Sequence, residues 1–153
     1  MNLKISFSWI GLVIFALPML INIAYVVFPP NGDAKQTAII PRWIEMVEQI
    51  SRIAYLAAIT LFVSREPIRF RSVWLWLAVL FLLLYYAVWI RYFAGGRETG
   101  LLNRPFLLVP MPLAVFPVLY FLCAALWLHN IPAVITMAVF GVAHLIVSFK
   151  SFH

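Results

Sequence analysis

The chain predicts an all-α integral membrane protein, a bundle of five transmembrane helices joined by short loops. Two observations carry this. Ile5 to Phe28, Val73 to Ile90, Phe106 to Leu128 and Ile131 to Phe149 contain no Lys, Arg, Asp or Glu, and each reaches or approaches the ~20 residues that a helix needs to cover roughly 30 Å of hydrocarbon. The composition agrees, because 65% hydrophobic residues, 10% charged residues and a mean hydropathy of +1.02 leave too little polar surface for a water-soluble globule. A single transmembrane domain over residues 1–153 follows, with helices at about 5–28, 42–64, 72–94, 106–128 and 131–149. No strand, repeat or separate soluble domain is expected.

The first helix follows Lys4, as the apolar core of a secretory signal would. Its apolar run is longer than the usual core of about 7–15 residues and ends in Val26-Val27-Phe28-Pro29-Pro30 without a small-residue cleavage pattern, so it is expected to remain as part of the fold. Asn31-Gly32-Asp33 then reads as a turn, and Pro41 suits the first position of the second helix.

That second helix is the unusual one. Its uninterrupted apolar run, Ile53 to Val63, covers only about 16 Å at ~1.5 Å per residue. To span the bilayer it must begin near Trp43 and carry Glu45, Glu48 and Arg52 inward. Arg65-Glu66-Pro67 with Arg69 and Arg71 forms a basic loop before the third helix, which Trp74 and Trp76 anchor at the interface and Tyr92, Gly95 and Gly96 close. Pro110, Pro112 and Pro117 crowd the entry half of the fourth helix and should bend it. His129-Asn130-Ile131-Pro132 is so short that the last two helices should be antiparallel neighbours.

Five crossings put the termini on opposite sides. Lys4, Arg65, Arg69 and Arg71 fall on the N-terminal side, against Lys35, Arg42, Arg97, Arg104 and Lys150 on the other. The dense arginine cluster on a short loop favours a cytoplasmic N-terminus and a C-terminus on the opposite side. The net charge of +6 fits basic loops meeting anionic headgroups, and no aromatic-and-basic pattern argues for nucleic acid.

With the helices alternating in direction, Asn22, Tyr25, Glu45, Glu48, Arg52, Tyr55, Arg91, His144 and Ser148 all fall in the membrane half that faces the first loop, the third loop and the C-terminus. Helical spacing groups them into stripes: Glu45, Glu48, Arg52 and Tyr55; Met137, Gly141, His144 and Ser148; Gly11, Pro18, Asn22 and Tyr25. Leaving a charge in lipid costs at least ~2.5 kcal/mol, so the stripes should face one another around a polar half-membrane cavity. Glu48 and Arg52 have the favourable i, i+4 order for an ion pair. On the plainer reading this pair, with Arg42 and Glu45, only eases the helix into the headgroup region. On the functional reading Arg52 and Arg91 bind an anionic headgroup or carboxylate, a task that suits the planar guanidinium fork.

His144 is either a helix-to-helix hydrogen-bonding group or a proton carrier with Glu48 or Glu45 as partner. Tyr85, Trp89 and Tyr92 form a stripe that either packs on a neighbouring helix or lines a pocket. No cofactor is indicated: His129 and His153 lie away from His144, and Cys123 is the only cysteine, so no metal-ligand set exists. Three functional classes follow. The first is binding, sensing or transport of a small amphipathic or anionic molecule or lipid. The second is a membrane-embedded enzyme acting on a lipid or isoprenoid substrate with Glu48 and His144 as acid and base. The third is a structural subunit whose polar face docks a second copy or another membrane protein.

In layout alone, five helices in about this length resemble the tryptophan-rich translocator family that binds porphyrins and sterols. That family's tryptophan followed closely by paired prolines is absent from the first loop, where Pro29-Pro30 precede Trp43. The resemblance therefore assigns no residue a role.

Overall fold

The computed structural model describes residues 3–31 and 39–152, without the side chains of Asn103 and Phe152. The expected turn at Asn31-Gly32-Asp33 falls largely outside the described residues, as do Lys35 and His153. The described chain runs β1 (Leu3–Ile5), α1 (Trp9–Val27), α2 (Arg42–Leu61), β2 (Phe62–Ser64), α3 (Val73–Ala94), α4 (Thr99–Asn103), α5 (Pro112–Trp127) and α6 (Ile131–Phe152). It is an all-helical bundle apart from one short ribbon. Three helices, α1, α3 and α6, are long and apolar enough to cross a membrane.

The ribbon corrects the expectation that no strand forms. Leu3–Ile5 pairs antiparallel with Phe62–Ser64, Lys4 standing opposite Val63. The Ser6 and Ser8 amides extend the pairing by donating to the carbonyls of Leu61 and Thr60. Consequently the first helix begins at Trp9 rather than near Ile5, with the Ser8 hydroxyl capping the Gly11 amide at 2.9 Å. The second helix ends at Leu61. An extended pair is a physical alternative to helix here because each strand's exposed backbone groups find partners in the other.

The fourth helix also starts later than its apolar run. Pro110 and Pro112 disfavour helical backbone in the residues before them. Phe106 and Val109 instead close a tight turn through mutual backbone hydrogen bonds, with Leu107 and Leu108 in left-handed conformation at φ 49° and 66°. Pro112 then occupies the first turn of α5, where its missing N–H is harmless. Only Pro117 lies inside that helix.

Specific contacts fix the directions. The ribbon joins the start of α1 to the end of α2, and Trp127 at the end of α5 donates its indole N–H to the Arg69 carbonyl just before α3 at 3.0 Å. At the other end of the bundle, Asn31 after α1 bonds the Gly96 carbonyl and the Arg97 side chain after α3. Helices α1 and α3 therefore run parallel, with α2 and α5 opposed to them. Asn130 ties the α5–α6 turn to α2. Its amide nitrogen donates to the Ala58 and Phe62 carbonyls at 2.8 Å each, while its oxygen caps the Ala133 amide at 3.1 Å. Helix α2 packs chiefly on α6, and α3 on α5. By contrast α1 buries only Gly11, Ile14 and Pro18. Gly11 is required there because a Cβ would collide with the Ile59 carbonyl oxygen.

Candidate functional site

Glu48 stands on the seventh residue of α2 and turns into the bundle, 5% exposed. Burial of a carboxylate requires charged or hydrogen-bonding partners, and two are present at one oxygen. His144 Nδ1 lies 2.7 Å from Glu48 Oε1, and Arg52 Nη2 donates to the same atom at 3.0 Å. The i, i+4 spacing within α2 supplies the arginine, and the close packing of α2 on α6 supplies the histidine. Phe140, one turn before His144, stacks on the imidazole at 4.9 Å and lies under the Arg52 guanidinium at 5.4 Å.

With Nδ1 held by the carboxylate, the imidazole's Nε2 is left for another partner. The Arg52 guanidinium likewise has N–H donors beyond the one given to Glu48, and its side chain is 44% exposed. Both residues line a cavity of about 290 Å³ between the five long helices. Phe15, Met19 and Asn22 enter it from α1, Arg52 and Tyr55 from α2, Tyr85 and Trp89 from α3, Leu113, Pro117 and Phe121 from α5, and Met137, Phe140 and His144 from α6. The lining is thus aromatic and aliphatic, with a few polar groups converging on it, the general form of a small-molecule site.

The other polar groups of the lining are ordered by their own bonds. Tyr85 donates to Asn22 Oδ1 at 2.7 Å, and Tyr55 donates to the Phe121 carbonyl at 3.1 Å. Tyr120 likewise donates to the Ile14 carbonyl of α1 at 2.8 Å. Trp89 meets Tyr85 edge-on at 6.2 Å, and its buried indole nitrogen makes no well-formed hydrogen bond among the described residues.

Of the residues predicted from sequence, Asn22, Arg52, Tyr55 and His144 line the cavity, and Glu48 joins Arg52 to His144 behind it. The others do not reach it. Arg91 is withdrawn by the third loop: its guanidinium donates to the carbonyls of Leu101, Arg104 and Pro105 at 2.9, 2.7 and 3.0 Å and packs over Phe106. Tyr25 packs on Trp89 and Tyr92 at 5.3 and 5.9 Å. Glu45 is exposed and forms no ion pair with Arg42, while Ser148 is buried in α6 beyond the cavity lining. Among the described residues no cluster of three or more His, Cys, Asp or Glu side chains is placed to hold a metal ion.

No protein-family model, curated protein or solved structure matches the chain. The functional reading therefore rests on the cavity itself. Of the stripe Tyr85, Trp89 and Tyr92, the first two line the cavity, whereas sequence reasoning missed Phe15, Phe121 and Phe140. Phe140 carries the clearest signal in retrospect, lying on the same helical face as His144.

Proposed function

We propose that all five long helices cross the bilayer and that the central cavity binds a small amphipathic molecule through a polar, anionic end. Helix α2, at 20 residues, is about 30 Å long at ~1.5 Å per residue. Its charges are compatible with crossing because Glu48 is matched by Arg52 and His144 rather than left facing lipid. Helix α5 is shorter at 16 residues, about 24 Å by the same rise, and the turn at Phe106–Val109 extends its reach.

The observation that carries the binding reading is that Arg52 and His144 share one oxygen of a buried carboxylate while both face the same cavity. Glu48 orients them, and the guanidinium donors it does not use are available to an oxyanion. The aromatic and methionine side chains beyond them suit a compact apolar body. Arg91 does not line this cavity, and its Nη1 and Nη2 groups are engaged by three backbone carbonyls of the third loop.

A second reading is favoured by the 2.7 Å contact between Glu48 and His144. A carboxylate that fixes one imidazole nitrogen leaves the other as a general base or acid, so a proton transfer on a bound lipid or isoprenoid is chemically within reach. Native mass spectrometry of protein released from lipid nanodiscs, followed by identification of every retained small molecule, tests the first reading. A species retained by the wild type and lost from Arg52→Gln with His144→Ala supports it. Identical retained species in the two proteins would refute it, and appearance of a chemically altered molecule only with the wild type would favour the enzyme.

A further inference from the structure

A second concavity shares no lining residue with the Glu48 cavity. It is a wholly apolar slot of about 360 Å³ between α1 and α3, within the roughly 300–1,000 Å³ typical of ligand sites. Its two long walls are helical stripes, Trp9, Val13 and Leu17 on α1 against Leu75, Val79 and Leu82 on α3. Tyr120 and Trp127 of α5 form the floor. Beside the slot α1 is held by Gly11 against Ile59, by Tyr120 donating to the Ile14 carbonyl, and by Tyr86, whose hydroxyl donates to the Leu17 carbonyl.

The slot has a depth and a direction. From Trp9 to Leu17 is eight helical steps, about 12 Å at ~1.5 Å per residue, close to the ~15 Å of a single leaflet's hydrocarbon. The Tyr86 bond to Leu17 closes its inner end. Its outer end lies at the basic loop, because Trp127 lines the slot and also bonds the Arg69 carbonyl, with Phe70 packed on its ring at 6.2 Å.

That loop carries a net positive charge, three arginines against the single acid Glu66. Arg65, Arg69 and Arg71 are exposed and form no ion pair among the described residues, and neither does Lys4 on the adjoining ribbon. Glu66, the one acid of the loop, is engaged with His129 at 3.5 Å. An apolar slot about one leaflet deep, whose outer end meets the loop that carries the exposed Arg65, Arg69 and Arg71 through the Trp127 bond to Arg69, matches a molecule with an acyl chain and an anionic headgroup.

We infer that the α1–α3 slot holds an acyl chain of an anionic phospholipid whose headgroup is bound by the Arg65–Arg71 loop. The site serves the leaflet on the ribbon side and is independent of the central cavity. Neutral lipid of the same chain length fills the slot less well, because it leaves the arginines unmatched.

The test uses full-length protein in nanodiscs of equimolar phosphatidylglycerol and phosphatidylcholine with identical chains, ejected into a mass spectrometer at increasing activation. The wild type is expected to retain one phosphatidylglycerol at least fivefold more often than phosphatidylcholine. Arg69→Gln with Arg71→Gln should abolish the preference, and Val79→Trp, which fills the slot from its lipid-exposed edge, should remove the retained lipid. Ile10→Trp fills the same slot from α1 and substitutes for Val79→Trp should that variant fail to fold. Equal retention of the two lipids by the wild type, a preference that survives loss of both arginines, or undiminished retention in a filled slot would each overturn the assignment.

Discussion

Removing the His144 imidazole should cost more stability than removing the Arg52 guanidinium, although the arginine carries the formal charge. Glu48 is the common partner, 7% exposed at its side chain, with His144 at 2.7 Å and 24% exposed and Arg52 at 3.0 Å and 44% exposed. An ion pair with so accessible a partner is worth about 0.2–1 kcal/mol, and Arg52→Ala should lie in that range. The His144 contact links two helices from a more buried position. Interhelical hydrogen bonds in membrane proteins average about 0.6 kcal/mol and reach about 1.7 in double-mutant cycles, whereas those to a charged group are worth about 1.5–3. His144 also stacks on Phe140. The expected loss for His144→Ala is therefore about 2 kcal/mol, with a coupling to Glu48→Gln of about 1–2 kcal/mol. Reversible unfolding in mixed micelles of graded sodium dodecyl sulfate, followed by circular dichroism, measures all four corners of the cycle. Additive losses, or a larger loss from Arg52→Ala than from His144→Ala, would refute the view that the α2–α6 contact depends on this bond.

Other consequences are equally direct. Gly11→Ala should destabilise by about 1–3 kcal/mol, the range for overpacking, because the new methyl meets a backbone carbonyl, while Gly141→Ala, which meets only the Val118 side chain, should cost less in the same unfolding assay. Asn130→Ala should cost about 2–4 kcal/mol, combining a lost helix cap of ~1 kcal/mol with two lost bonds to buried carbonyls. Arg91→Ala should speed tryptic cleavage after Arg97 or Arg104 by releasing the third loop, and leave cavity binding unchanged. For α2, cysteines placed at Ser51 and Leu56 should resist a water-soluble maleimide that labels Ile39→Cys freely, Ile39 being almost fully exposed ahead of the helix, and equal labelling would refute a crossing helix.

The apolar runs read directly as helices α1, α3 and α6 because hydrophobicity sustained over many turns leaves few alternatives in lipid. Ends were less legible. The Ser8 cap and the ribbon at Leu3–Ile5 depend on a strand sixty residues away, and apolarity alone cannot distinguish three extended residues from the first turn of a helix. Proline chemistry explains why α5 starts at Pro112, but the run of apolar residues before it concealed the turn at Phe106–Val109.

The site shows the same division. The i, i+4 spacing made Glu48 and Arg52 legible as a pair, and alternation of the helices brought His144 toward them. Arg91 was expected in the same half as these residues yet serves the loop, because the carbonyls of residues 101, 104 and 105 become its partners only once that loop has folded. Asn130 was read as a turn residue, and its two long-range bonds had no sequence signal. Phe121 and Phe140 were hidden by a composition in which aromatics are common, 16% of the chain.

The central cavity is tested most directly by tryptophan quenching with brominated amphiphiles of one chain length and opposite head charge. Trp89 lines the cavity, so a brominated carboxylate that enters should quench a saturable component of the emission, one that disappears in Trp89→Phe and weakens at least tenfold in affinity in Arg52→Gln. A brominated trimethylammonium analogue should give only the non-saturable quenching expected from the tryptophans that face lipid. Equal saturable quenching by the two head groups, or a saturable component that persists without Trp89, would contradict an anion-selective cavity at Arg52 and His144.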